Sequence, residues 1–182
     1  MVAGYSYRHW RLVTFKSIIA KLETCIGIFM ADIRFKCSRI DELCAREMHS
    51  IIAHRERVFI IEQNCPYQDA DDYDAASWHL VCYYDDNLAA YLRIVDAGYK
   101  YAEPSIGRVL TAKPYRGLGL GKVLMSEAMS RINSLYPNQN NRISAQAYLL
   151  DFYQGFGFEA CSDEYLEDDI PHVEMLKVYQ HT

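Results

Sequence analysis

The alternation of polar and apolar positions becomes regular only after Met30. Ile33–Cys37 alternates apolar and charged side chains, the period-two pattern of a half-buried strand. Ile40, Leu43, Cys44, Met48, Ile51 and Ile52 recur at helical spacing, which predicts one amphipathic helix as far as about Val58, capped by Ser38. A polar, acidic stretch from Asn64 to about Ala75 reads as a loop. Trp78–Tyr84 and Leu88–Val95 read as two strands joined by Asp85-Asp86-Asn87, a good hairpin turn. Ser105–Thr111 is a further strand. Beyond it, Leu120, Val123, Leu124, Ala128, Ile132 and Leu135 mark a second helix, ended by Pro137 and the asparagines after it. Arg142–Gln146 reads as a short strand, Leu149–Phe156 as a short helix closed by Gly157, and Val173–Val178 as a last strand. The order β-α-β-β-β-α-β-α-β predicts the α/β class, a single domain with a mixed sheet flanked by helices.

Composition supports a folded core. Hydrophobic residues make up 51% of the 182 and charged residues 24%, far from a disordered or low-complexity chain. Residues 1–29 stand apart, with a net charge of +3 that leaves −8 on the remainder. That acidic balance disfavours a phosphate-tracking surface, so no nucleic-acid partner is expected. Leu12–Met30 is broken by Lys16, Lys21 and Glu23, too polar to span a membrane, and has no compact apolar core of a signal peptide. An amphipathic tail, a surface anchor and sequence upstream of a true start at Met30 all fit residues 1–29; the third agrees best with the onset of regular patterning. The extension is then expected to be dispensable, and the domain to run from Met30 to Thr182. Six scattered cysteines without a CxxC or a ligand-like histidine spacing predict reduced, mostly buried thiols, a cytoplasmic location and no metal.

The main chemical signal is Arg116-Gly117-Leu118-Gly119-Leu120-Gly121-Lys122, between a strand and a helix. Glycine lets a backbone approach an anion, and the first turn of a helix offers unpaired N–H groups at the positive end of its dipole. Two phosphate loops can be excluded. A dinucleotide fingerprint would need glycine at Lys122 or Leu124; a Walker loop would need glycine at Arg116 and a hydroxyl at Val123. The pattern that fits is [Arg/Gln]-x-x-Gly-x-[Gly/Ala], met by Arg116, Gly119 and Gly121. On this motif the chain resembles the GNAT superfamily of N-acetyltransferases. Ala147–Phe158 (AYLLDFYQGFGF) is similar to the superfamily's second signature. Phe59–Gln68 (FIIEQNCPYQ), Glu103–Val109 (EPSIGRV), Ala145–Ala147 and Asp168–Met175 (DDIPHVEM) resemble its ElaA-type branch. Tyr148 departs from that branch, which is expected to carry histidine there.

The resemblance implies direct transfer of an acetyl group from acetyl-CoA to a primary amine of a small molecule or polypeptide. It places the coenzyme pyrophosphate on the amides of Leu118, Gly119, Leu120, Gly121 and Lys122, with Arg116 and Gly117 in the same loop. It places the pantetheine arm along Val109, Leu110 and Thr111, with the Leu110 amide facing the developing oxyanion. Tyr153 matches the position of the acid that protonates the leaving thiolate, as a phenol of pKa near 10 can do at neutral pH. Glu103 is the first candidate for the base, with His79 and His172 as alternatives, and Glu62 and Gln63 as candidates for the acceptor wall. The acidic runs Asp69–Asp74 and Glu164–Asp169 could draw in a cationic acceptor. Two other readings stay open on the residues: a non-catalytic acyl-CoA-binding module, and a toxin acetylating charged transfer RNA, which the acidic balance disfavours. Tyrosine and methionine are plentiful enough to cover a homodimer interface.

Overall fold

The computed structural model describes residues 32–180, so the extension and the expectations attached to it lie outside the described residues. The chain forms β1 (Ile33–Ser38), α1 (Ala45–Arg55), β2 (Ser77–Tyr84), β3 (Asn87–Val95), β4 (Ser105–Thr111), α2 (Leu120–Leu135), β5 (Asn141–Gln146), α3 (Leu150–Gln154), β6 (Glu159–Ala160), β7 (Tyr165–Glu167) and β8 (Ile170–Lys177). One sheet holds all eight strands in the order β1-β2-β3-β4-β5-β8-β6, with β7 also on β8. Every pairing is antiparallel except that of β4 with β5. The expected mixed sheet with flanking helices is therefore present.

Strand alternation divides the core into two layers. Leu80, Cys82, Leu92 and Ile94 pack with Leu124, Met125, Ala128 and Ile132 of α2 and with Tyr153 of α3. Val81 and Tyr91, pointing the other way, pack with Ile51 of α1. Ile106 and Leu110 would share a face in an unbroken strand, yet Ile106 belongs to the α2 layer and Leu110 to the α1 layer. The cause is a bulge: Arg108 has φ of 53° and the β3–β4 register shifts between Tyr91 and Arg93. One inserted residue sends every later side chain to the opposite face.

Several boundaries differ from the pattern's prediction. Ser38 is the last residue of β1, buried opposite His79, and caps nothing. A 3₁₀ turn at Ile40–Glu42 intervenes, and α1 begins after Cys44, whose amide donates to Glu47 Oε2 at 2.9 Å. The helical path then widens into π turns over Glu56–Glu62. Asp85 and Asp86, with φ of 47° and 64°, form the expected hairpin turn of the primed type. The run Glu164–Asp169, expected as an acidic surface, is a second hairpin: Asp168 and Asp169 turn at φ of 52° and 62° between β7 and β8. Of the described cysteines only Cys82 is buried, while Cys44 and Cys161 are exposed, so the thiols are free as expected but not mostly buried.

Candidate active site

β4 and β5 run parallel and share one register pair, Ser105 with Arg142. Beyond it the strands part. The wedge between them opens into a cleft of about 300 Å³, lined by β4 from Ser105 to Thr111, by Ser144 and Gln146 of β5, and by Tyr153. Gln63 reaches the same cleft, its Oε1 3.5 Å from Gln146 Nε2.

The bulge that bends β4 is anchored from outside the sheet. Arg108 donates to Asp69 at 2.6 Å, and Asp69 also accepts from Arg55 at 2.8 Å. Asp74 accepts from Arg55 at 2.6 Å and Arg93 at 2.8 Å, while Arg93 holds Asp71. Three arginines thus neutralise three aspartates. Burial pushes the Asp74 carboxyl up, but Arg55 and Arg93 more than offset this and hold it below the usual range. The run Asp69–Asp74 is therefore largely spent inside the protein, and the expected attraction of a cationic acceptor does not follow from it. His79 is a core residue, fully buried between the Tyr91 hydroxyl (2.8 Å) and the Asp74 carbonyl (3.1 Å).

Main-chain alternation decides which groups of β4 face the wedge. Ala112 donates to Ala89 O at 2.8 Å, so residues 112 and 110 present their amides to β3. Those of Thr111 and Val109 point the other way, toward β5. The Leu110 amide, expected to meet the oxyanion, is thereby turned into the ladder, and its side chain lies in the α1 layer.

The glycine loop sits at the end of β4. Gly117 and Gly119 adopt φ of 82° and 76°, the left-handed region that side chains disfavour, and a Cβ on either would meet nothing within 4 Å. Gly119 caps α2, a helix of 16 residues. Amides 117–121 donate to no acceptor among the described residues, which leaves a run of open donors at a helix start. Leu118 and Lys122 are exposed, and Leu120 is buried beneath the loop. Arg116 has a structural part: it donates to Thr111 O at 3.0 Å and to Glu62 at 2.5 Å, tying β4 to the π turns. Open donors and vacant space over the glycines fit a pyrophosphate.

Tyr153 projects from α3 with 7% exposure, edge-on to Phe152 and Phe158, and lines the cleft. Burial, with a smaller contribution from Tyr148, raises its phenol above the ordinary value. Glu103 lies elsewhere. Its carboxylate grips Arg142 with two contacts of 3.1 Å and is held low by that guanidinium, and it is absent from the cleft lining. Its place is beside the Ser105–Arg142 pair, at the closed end of the wedge. His172 does line the cleft, beside Glu167. Its Nδ1 lies 2.8 Å from the Ile170 carbonyl, which accepts only from an N–H, so the neutral ring keeps Nε2 as its acceptor. Glu167 accepts from the Ser144 hydroxyl at 2.8 Å. Among the described residues no cluster of His, Cys, Asp and Glu suits a metal ion.

A splayed parallel strand pair, a loop of open amides and a buried tyrosine are the features that the resemblance to GNAT acetyltransferases implied. The comparisons agree. Residues 47–179 match the family model of the acetyltransferase (GNAT) domain, and the chain belongs to that family. It is 40% identical to a UPF0039 protein of Synechocystis over 146 residues, which are 80% of this chain and 95% of the relative. It is 36% identical to protein ElaA of Escherichia coli over 138 residues, 75% of this chain and 90% of ElaA. The crystal structure of ElaA superposes with a TM-score of 0.76 over 80% of this chain and 99% of its own. An acyl-CoA N-acyltransferase from Pseudomonas aeruginosa gives a TM-score of 0.77 at 36% identity, covering 81% of this chain and 100% of that one.

Proposed function

We propose that this chain is an N-acetyltransferase that uses acetyl-CoA to acetylate a primary amine of a small molecule or polypeptide. One observation carries the reading: Val109, Thr111 and Tyr153 line one wedge, and the strand β4 that supplies the first two leads, a few residues beyond Thr111, into the loop of open amides 117–121. Bound acetyl-CoA would supply the activated thioester. The loop amides with Lys122 would hold its phosphates, and Val109 and Thr111 its amide-bearing arm, as an added strand would be held.

Each further role follows from position. The Val109 amide takes the part first expected of Leu110, meeting negative charge as it develops on the acyl oxygen. Tyr153, kept protonated by burial, donates to the departing sulfur, whose conjugate thiol has a pKa of about 8.5. His172 replaces Glu103 as base, with its carbonyl-bound Nδ1 fixing the tautomer and Nε2 accepting the amine proton directly or through water. Burial pushes Glu167 up, yet Lys100 and Ser144 outweigh this and keep it a carboxylate, a fixed counter-charge for an arriving ammonium. A screen of amines with acetyl-CoA, following free thiol release and product mass, tests the reading. Tight acetyl-CoA binding without turnover on any amine would instead indicate a binding module.

A further inference from the structure

A second cavity, of about 680 Å³, lies outside the wedge between α1, the β2–β3 hairpin and the 3₁₀ turn Lys113–Tyr115. Its charges do not balance. Three acids line it, and each is held by a cation that is not itself part of the lining: Glu47 by Lys36 at 2.6 Å, Glu62 by Arg116 at 2.5 Å, and Asp86 by Arg34. Three cations line it too, and Arg46, Arg57 and Lys113 have no ion-pair partner among the described residues. Arg46, Ser50, His54 and Arg57 recur at helical spacing, so one stripe of α1 and its continuation faces the cavity. His54 Nδ1 lies 2.7 Å from the Ser50 carbonyl, so it carries the proton and leaves Nε2 to the cavity side. Between these polar groups Val58, Leu88 and Tyr115 give apolar surface.

We infer that this cavity binds a small amphipathic anion, an aromatic or aliphatic body carrying a phosphate or carboxylate head. Guanidinium groups match the oxygens of either head in pairs, and Lys113 adds a compact charge opposite them. The apolar surface would take the body, as in most small-molecule sites. The site is separate from the coenzyme cleft but adjoins it. Its wall 112–115 runs directly into Arg116, and Glu62 of its lining is the carboxylate that Arg116 holds. Occupancy would therefore be felt at the loop that carries the open amides.

The test is calorimetric titration of the full-length protein with phenyl phosphate, benzoate and inorganic phosphate, alone and with saturating acetyl-CoA. One aromatic anion should saturate a single site, and whichever of phenyl phosphate and benzoate binds tighter identifies the head group. Inorganic phosphate should bind at least about 10-fold more weakly than phenyl phosphate, because it lacks the body. Arg57→Glu and Lys113→Glu should each weaken binding by about 10-fold or more, with folding checked by circular dichroism. NMR amide shifts of the wild-type protein should centre on Tyr83, Leu88 and Ala112, which needs no variant. Absence of saturation by either aromatic anion, or affinities unchanged in both variants, would overturn the inference. Stoichiometric displacement by acetyl-CoA would overturn it as well, showing that the cavity serves the coenzyme's own phosphates.

Discussion

Arg108 reaches back 39 residues to Asp69, its Nε 2.6 Å from the carboxylate, from a backbone conformation that a β-strand does not supply. This contact and the wedge belong to one arrangement. Without the inserted residue, Val109 and Leu110 would exchange faces, and the amide now open toward β5 would be closed into the β3 ladder. The loop after α1 therefore shapes the cleft through its ion pairs to Arg108.

Removing part of that network tests its weight. Asp74 serves two buried guanidinium groups, so Asp74→Ala leaves both partly unpaired and is expected to cost about 3–5 kcal/mol in denaturant unfolding at pH 7. The pH dependence has a definite sign. The folded carboxyl titrates below its unfolded value of about 3.9, so its contribution is present above that pH and is lost as the pH falls through the folded value. Wild type should lose its advantage over Asp74→Ala on acidification below about pH 4. A constant difference between pH 7 and pH 3 would contradict the linkage.

Tyr153→Phe keeps the ring and its edge contacts while removing the hydroxyl. Acetyl-CoA affinity should change little and kcat should fall by about 10²–10⁴-fold. The loss should shrink with thioesters of more acidic thiols, which leave with less help. Full turnover with chemistry rate-limiting would remove Tyr153 from the acid's role.

His172→Gln should lower kcat/KM for amine acetylation by about 10²-fold or more at neutral pH while leaving acetyl-CoA binding intact. A lysine-like acceptor has a pKa of about 10.4, so the gap to wild type should narrow as the pH rises toward that value and free amine accumulates. A gap that does not depend on pH would mark His172 as a scaffold for the β7–β8 hairpin instead.

Gly121 gives the cleaner test of the phosphate loop. Gly119→Val would force a side chain into φ of 76°, so lost binding there would mix strain with occlusion. At Gly121 an added Cβ comes 3.5 Å from Thr111 Oγ1, an ordinary contact. Gly121→Val should fold and lose acetyl-CoA affinity by about 100-fold, or about 2.7 kcal/mol. An unchanged Kd in the folded variant would place the pyrophosphate elsewhere.

Legibility in the sequence varied with how local each cause was. Ser105–Thr111, the Asp85-Asp86 turn and the start of α2 depend on neighbouring residues, and the pattern located them closely. Asp168-Asp169 is the same dipeptide in the same kind of turn, but β7 is only three residues long and offers no periodicity to flank it. Ser38 has a cap's chemistry and lost that role to a distant competitor, the β1–β2 ladder. The face of the Val109 amide and the distance of Glu103 from the cleft depend on the bulge and on Arg142, both set by partners far along the chain. His172 stood in the sequence as one of two alternative histidines within reach of the base's role, and only its place in the cleft and the Ile170 carbonyl at its Nδ1 separate it from the buried His79.

The lone junction of Ser105 with Arg142 makes the sheet two plates on a pin. β1–β4 form one plate and β5–β8 the other, and every remaining hydrogen-bonded ladder lies wholly within one of them. A rotation about the pin would stretch no other ladder, and what opposes it is side-chain packing, since Ile143 and Met175 of one plate share a buried cluster with Leu80 and Leu92 of the other. The Glu103–Arg142–Glu174 chain of ion pairs is the clasp at that pin, an electrostatic brace at the one place where the two plates are joined by backbone pairing.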